Sequence, residues 1–228
     1  MQHSLSALVA HDIKNALALL EIDLEQLNHR PDVPIEGARA YRRCVELKSR
    51  LIGFLTLYKY DQSGLNPLVY EVDLMDFLEE LIMNSPSVVM QEAHQGAPLS
   101  VQVDRDRIRV DAACSHAGVG FFDENLLELA LESVLNNAVR YAHHQISLWF
   151  EQDADVLVFK VLDDGESAAS ISGPPGEKEK SASTGLGLAL CKAVAEVHGA
   201  GTIQLERLAC GGTLFSMTLR QVTCHNHN

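Results

Sequence analysis

Residues Leu8–Leu27 read "LVAHDIKNALALLEIDLEQL" and contain neither glycine nor proline. Ile13, Leu17, Leu20, Leu24 and Leu27 recur by alternate steps of four and three, the seam of a coiled coil or helical bundle. The helix is expected from Ser4 to about His29. "RPDVPIEG" (Arg30–Gly37) breaks it with two prolines and a glycine. A second helix is predicted from about Ala38 to Tyr60, with Val45, Leu47, Leu51, Phe54, Leu55 and Tyr58 on its apolar side. Two long helices joined by a short loop make an antiparallel hairpin. Such a hairpin cannot cover its own apolar stripe, so a homodimer closing into a four-helix bundle is expected.

"DQSGLNP" (Asp61–Pro67) reads as a linker, and the pattern changes after it. Short strand-like runs follow: "LVYEVD", "LSVQVD", "RIRVD", "QISLWF", "VLVFKVLDD", "TIQLER" and "TLFSMTL". Helical segments are predicted near Leu74–Met83, Asn125–Tyr141 and Leu186–His198. Hairpin-like strands with helices grouped between them imply an α+β fold, a sandwich whose mixed sheet is covered by helices on one face. The predicted domains are residues 1–62, the helical hairpin, and 63–228, the sandwich. Glu166–Ser183, "ESAASISGPPGEKEKSAS", lacks periodicity and is read as a lid or an insert.

Composition narrows the function. The chain has 228 residues, 46% hydrophobic and 21% charged, as ordinary globular proteins do. No run approaches the roughly 18 apolar residues of a membrane span, and no basic-then-apolar leader opens the chain. Cys44, Cys114, Cys191, Cys210 and Cys224 are scattered without a CxxC pair, which fits free thiols in a reducing cytosol. A net charge of -13 argues against a nucleic-acid groove. It leaves room for a nucleotide, which a local loop and a metal can hold on an acidic protein.

A histidine, two charges and an asparagine interrupt the first seam. Ala10, Ile13 and Leu17 continue the inward stripe, leaving His11 to face outward. A single outward histidine is ordinarily a solvated surface residue, but Asp12 follows it and Asn15 lies one turn further on the same face. A carboxylate beside an imidazole can take its Nδ1 proton and sharpen the other nitrogen as a nucleophile. An amide one turn away can orient a water or a phosphoryl oxygen. The cluster suits picking up and releasing a phosphoryl group.

Three stretches of the second half suit nucleotide chemistry. In "ELALESVLNNAVRYA" (Glu128–Ala142), Asn137 lies on an amphipathic helix, ordinarily a surface place for an asparagine. Beside a phosphate its oxygen can ligate Mg²⁺. "VLDDGES" (Val161–Ser167) ends an apolar strand at Asp163, Asp164 and Gly165. Asp-Gly is a common turn pair, yet a carboxylate at a strand end can also accept from an adenine amino group. "STGLGLAL" (Ser183–Leu190) opens a helix at Gly185 and Gly187, whose backbone amides make an anion site. It is neither a strand-borne GxGxxG nor a GxxxxGK[ST] loop.

In this order and at these separations, the chain resembles the catalytic core of a two-component sensor histidine kinase. That core is a dimerisation and phosphotransfer hairpin followed by an ATP-binding domain of the gyrase/Hsp90/MutL type. "HDIKN" (His11–Asn15) is similar to the family's H box and "ESVLNNAVRY" (Glu132–Tyr141) to its N box. "DDGES" and "TGLGLAL" resemble the two glycine boxes, "EVHGAG" (Glu196–Gly201) follows, and "GGTLF" (Gly211–Phe215) resembles the closing glycine motif. The resemblance implies that His11 is the phosphoacceptor, Asp12 its acid/base partner, and Asn15 a residue for dephosphorylating the regulator. It implies that Asn137 holds Mg²⁺ and phosphates, Asp163 reads the adenine amino group, and Gly165 lets the base approach. Gly185, Leu186 and Gly187 would form the lid hinge at the phosphates, Thr213 would lie near the adenine, and Arg140 and Tyr141 would line the pocket.

Ser133 stands where the family commonly has asparagine, Ser167 replaces a glycine, and Ala16 replaces a helix-kinking proline. The implied activity is autophosphorylation of His11 from ATP, with Mg²⁺, and transfer to an aspartate of a response regulator receiver, with a phosphatase activity beside it. The alternative is a histidine phosphotransferase whose sandwich domain binds no ATP. The expected location is cytoplasmic, as a soluble kinase or as the cytoplasmic part of a longer membrane sensor.

Overall fold

A computed structural model describes residues 13–24, 26, 35–85, 100–102, 118–143, 145–153, 155–165, 185–209 and 211–221. The predicted strand "RIRVD", the lid-like stretch from Glu166 to Ser183, and Ser167 within it lie outside these residues. The chain divides into two compact units, Met1–Gly64 and Leu65–Asn228.

In the first unit, helix α1 spans 13–24 and α2 spans Ile35–Ser63. Leu17, Leu20 and Leu24 line an apolar groove with Ala40, Cys44 and Leu47. The Cys44 thiol lies 3.7 Å from the Leu17 carbonyl, and Lys48 pairs with Glu21. Leu17, Cys44 and Val45 are buried, but Ile13, Leu19, Leu20, Leu47 and Phe54 stay exposed, Leu19, Leu47 and Phe54 by more than half. The seam read from the sequence is thus only partly covered within one chain. α2 continues through Ser63, three residues into the stretch expected as linker, because Asp61, Gln62 and Ser63 contain no helix breaker. Gly64 stops it: at φ +73° it adopts the left-handed conformation and its N–H bonds the Tyr60 carbonyl at 2.9 Å.

The second unit begins with β1 (Tyr70–Asp73) and α3 (Leu74–Asn84). Asp73 caps α3, its side chain accepting from the Met75 and Asp76 amides. β2 (Ser100–Gln102), β3 (Val119–Phe122), α4 (Glu124–Tyr141), β4 (Gln145–Asp153) and β5 (Val156–Asp163) follow. The chain continues with α5 (Leu186–Val197), β6 (Thr202–Arg207) and β7 (Thr213–Arg220). The main sheet has the order β2-β4-β5-β7-β6, with β2 parallel to β4 and the other pairs antiparallel. It is a mixed sheet in an α+β fold. β1 and β3 form a separate antiparallel pair. "VGFF" of β3 escaped the sequence reading because it is four residues long and runs directly into the α4 cap.

Alternation along the central strands sends Ile146, Leu148, Phe150, Leu157, Phe159, Val161, Phe215, Met217 and Leu219 to one buried face. The buried stripes of α4 and α5 cover it, with Leu131, Leu135, Cys191 and Val194 among them. Phe77 of α3, Phe122 of β3 and Phe159 of β5 meet edge-on with centroids 5.2 to 5.9 Å apart, locking the small sheet and α3 onto the large one. Asp123 joins three elements: it caps α4 through Leu126, accepts the Leu68 amide at 2.8 Å, and donates its own N–H to Nε2 of buried His198. Cys44 and Cys191 are buried free thiols, as expected, and burial pushes the Cys191 thiol up to about 12.

Candidate functional site

The site grows from the last two turns of α4. Because Val134, Leu135, Ala138 and Val139 are buried against the core, Asn137 and Arg140 are left exposed and Tyr141 half-buried. The Arg140 guanidinium lies 5.7 Å from the centre of the Tyr141 ring. The end of α4 meets the end of β5 at Gly165, where a Cβ would fall 1.9 Å from the Tyr141 carbonyl oxygen. Only glycine fits there, for reasons of space.

Asp163 closes β5, and its Oδ1 accepts the Gly165 amide at 2.9 Å, an Asx-type turn that an Asp-x-Gly sequence forms readily. The first residue of β7, Thr213, pairs with Asp163 across the sheet. Just before it, Gly212 runs so close that a Cβ would lie 2.3 Å from the Asp163 carbonyl. Asp163 is half-buried. Burial raises its pKa, the Gly165 amide opposes the shift, Asp164 adds to it, and His143 opposes it weakly. Asp164 points elsewhere, its Oδ1 taking the His143 amide at 2.9 Å. The strand-end pair therefore splits into one half-buried carboxylate folded onto the Gly165 turn and one on the surface.

The other wall is the start of α5. Gly185 occupies the N-cap at φ +69° with nothing within 4 Å of a Cβ, so backbone conformation, not space, asks for glycine. Gly187 is the reverse case. It lies inside the helix, where alanine would be favoured by about 1 kcal/mol, but a Cβ would fall 2.4 Å from Ser133 Oγ and 3.7 Å from Asn137 Nδ2. Among the described residues no side chain caps the first turn of α5. Its leading N–H groups carry the positive end of the helix dipole toward the Asn137 face of α4.

α4 therefore holds both walls one turn apart: Asn137 faces Gly187, and Tyr141 faces Gly165. Uncapped amides and a carboxamide gather at one end, and a desolvated carboxylate acceptor stands at the other. Such a site can hold an anionic tail and read N–H donors on a head group. Asn137, Tyr141, Asp163, Gly165, Gly187 and Thr213 come together here, with Gly185 and Leu186 opening α5 and Arg140 on the outer rim. The sequence reading placed Gly212 in the closing glycine motif "GGTLF" without a role of its own, and it held no signal for the Tyr141 carbonyl.

His11 and Asp12 lie outside the described residues. Asn15 lies on α1 with its side chain exposed.

Residues 122–223 match the family model described as Histidine kinase-, DNA gyrase B-, and HSP90-like ATPase. The chain is similar to Sensor protein KdpD of Escherichia coli, 28% identical over 98% of this chain and 25% of that protein. It is also similar to Sensor histidine kinase CpxA of Escherichia coli, 26% identical over 92% of this chain and 45% of that protein. The chain thus spans less than half the length of either of these curated relatives. The solved structure of Acinetobacter baumannii histidine kinase AdeS shares the fold, with a TM-score of 0.58 and 18% identity over 92% of this chain and 98% of that one. Residues 122–223 thus carry the match to the Histidine kinase-, DNA gyrase B-, and HSP90-like ATPase family, and over nearly its whole length the chain is similar to a sensor protein and a sensor histidine kinase.

Proposed function

We propose that this chain binds ATP in the α4-centred site and transfers its γ-phosphoryl group to Nε2 of His11. The observation that carries the reading is the meeting of uncapped α5 amides, Asn137 and the Asp163–Gly165 turn around one helix, inside a domain of an ATPase family. Asp163 accepts from the adenine amino group, Gly165 and Thr213 shape the base pocket, and Arg140 and Tyr141 border it. The first turn of α5, from Gly185 through Leu186 to Gly187, faces the phosphates. Asp12 orients the imidazole through Nδ1 and stabilises the cation that forms as the P–N bond is made. The phosphoryl group then passes to an aspartate of a receiver domain, and Asn15 aligns a water for its later removal.

Asn137 suits Mg²⁺, since an exposed carboxamide oxygen beside the phosphate wall is the kind of single protein ligand this ion combines with substrate oxygens and waters. Among the described residues no cluster of three or more His, Cys, Asp or Glu forms a separate metal cage. When bound, Mg²⁺ neutralises phosphate charge during transfer.

The working form is a homodimer. Ile13, Leu19, Leu20, Leu47 and Phe54 remain uncovered on α1 and α2, the apolar surface a second hairpin would bury in a four-helix bundle. Among the described residues no helix is long and apolar enough to cross a membrane.

Incubation with γ-labelled ATP and Mg²⁺, beside His11→Ala, tests the proposal. Acid-labile, alkali-stable label on the wild type and none on the variant is the expected result. A folded chain that takes no label from ATP, yet accepts phosphoryl groups from a phosphorylated receiver, would establish the phosphotransferase reading instead.

A further inference from the structure

Between α4 and β4 the chain passes across the end of β5, and the two ends meet closely. Gly165, buried in the turn after β5, lies so near that a Cβ would sit 1.9 Å from the Tyr141 carbonyl oxygen and 2.9 Å from the Ala142 nitrogen. An approach this close survives only while the two ends stay in register. Asp164 bonds twice to the crossing chain: its Oδ1 accepts the His143 amide at 2.9 Å, and its own N–H donates to the Gln145 carbonyl at 3.3 Å. His143 is the second residue beyond α4, and Gln145 is the first of β4. The preceding Asp163 turns the other way and accepts the Gly165 amide at 2.9 Å. The first carboxylate thus shapes its own turn, and the second fastens that turn to the end of the helix that carries Asn137 and Tyr141. A backbone N–H bonds an ionised oxygen more strongly than a neutral one, which suits a bond made at the surface.

We infer that Asp164 is a positioning residue for the base end of the site: its carboxylate clamps the His143 amide and so holds Tyr141 in register with the Gly165 turn and Asp163. The inference rests on the nucleotide reading given above. It gives a role to the second aspartate of the Asp163–Gly165 run, which acts through the backbone of its neighbours and not on the base.

The test compares Asp164→Ala with Asp164→Asn on the full chain, read as dissociation constants for ATP and for inosine triphosphate, each with Mg²⁺. Inosine triphosphate carries a carbonyl in place of the adenine amino group, so it binds without the donor that Asp163 is proposed to read. Both substitutions remove a charge that adds to the effect of burial on Asp163, but only alanine removes the acceptor for His143. Asp164→Ala is expected to weaken ATP binding about fivefold, the worth of one hydrogen bond, and inosine triphosphate binding by no more than about twofold. Asp164→Asn is expected to stay within about twofold of wild type for both nucleotides, because its amide oxygen still accepts. Equal losses in the two variants would make the effect one of charge, and a loss shared equally by the two nucleotides would make it general destabilisation. Either result, or an Asp164→Ala variant that binds like wild type, would overturn the inference while leaving the proposed function intact. A wild-type chain that binds no nucleotide would overturn both.

Discussion

Replacing Gly165 by alanine tests how the site is built. Its Cβ would sit 1.9 Å from the Tyr141 carbonyl oxygen, 2.4 Å from the Tyr141 carbonyl carbon and 2.9 Å from the Ala142 nitrogen. All three are backbone atoms, so no rotamer change relieves the overlap. To reach ordinary contact at 3.4 Å, the end of α4 or the turn after β5 must retreat by 1.5 Å. The retreat would strain the bond from the Gly165 amide to Asp163 Oδ1, now 2.9 Å, and turn the carboxylate proposed to read the adenine. Overpacking of this kind costs about 1–3 kcal/mol, and about 1 kcal/mol moves the midpoint of a domain this size by roughly 2–4 °C. Circular dichroism should therefore show the second unit melting several degrees lower, and calorimetric titration should show ATP binding weakened by at least tenfold. Gly185→Ala makes the control. With nothing within 4 Å of its Cβ, only the φ of +69° opposes it, a strain of about 1–2 kcal/mol. If Gly165→Ala melts and binds like wild type while Gly185→Ala does not, the close meeting of α4 and β5 is wrong.

Three further outcomes are expected. Burial holds the pKa of His198 below its ordinary value, against the opposing Val194 carbonyl and Asp123 charge, so folding disfavours its protonation. Its penalty is absent above the unfolded value of about 6.5 and grows as pH falls below it; wild type should lose stability from about pH 7 to 5.5 more steeply than His198→Gln. Asn137→Ala should abolish the Mg²⁺ dependence of nucleotide binding without lowering the thermal midpoint, since the side chain is exposed; retained Mg²⁺ dependence would assign the ion elsewhere. Asn15→Ala should slow dephosphorylation of the receiver while leaving label on His11 nearly intact, and equal loss of both would remove Asn15 from that role.

How far the sequence reached depends on the range of the interactions involved. The α3, α4 and α5 helices and most strands of the second unit could be read from periodicity and from turn residues such as the Asp-Gly pair, because these act within a few residues. The α2 terminus was misread because a polar stretch looks like a linker whether or not it is helical; the stop came from Gly64. β3 was missed because its four residues gain their order from β1, about 50 positions earlier in the chain. The glycines were legible as a motif, but not the separate reason for each. Gly185 answers to a dihedral angle, Gly165 to the Tyr141 carbonyl and Gly187 to the Ser133 hydroxyl. The last two are contacts between segments far apart in sequence, and only tertiary packing brings them together. By itself, the sequence determined which residues could do phosphoryl and nucleotide chemistry, since that depends on side-chain type and local spacing. The fold decided that Asn137 and Tyr141, one turn apart on α4, would organise the two walls of one site, because close packing between distant elements is set by the whole core.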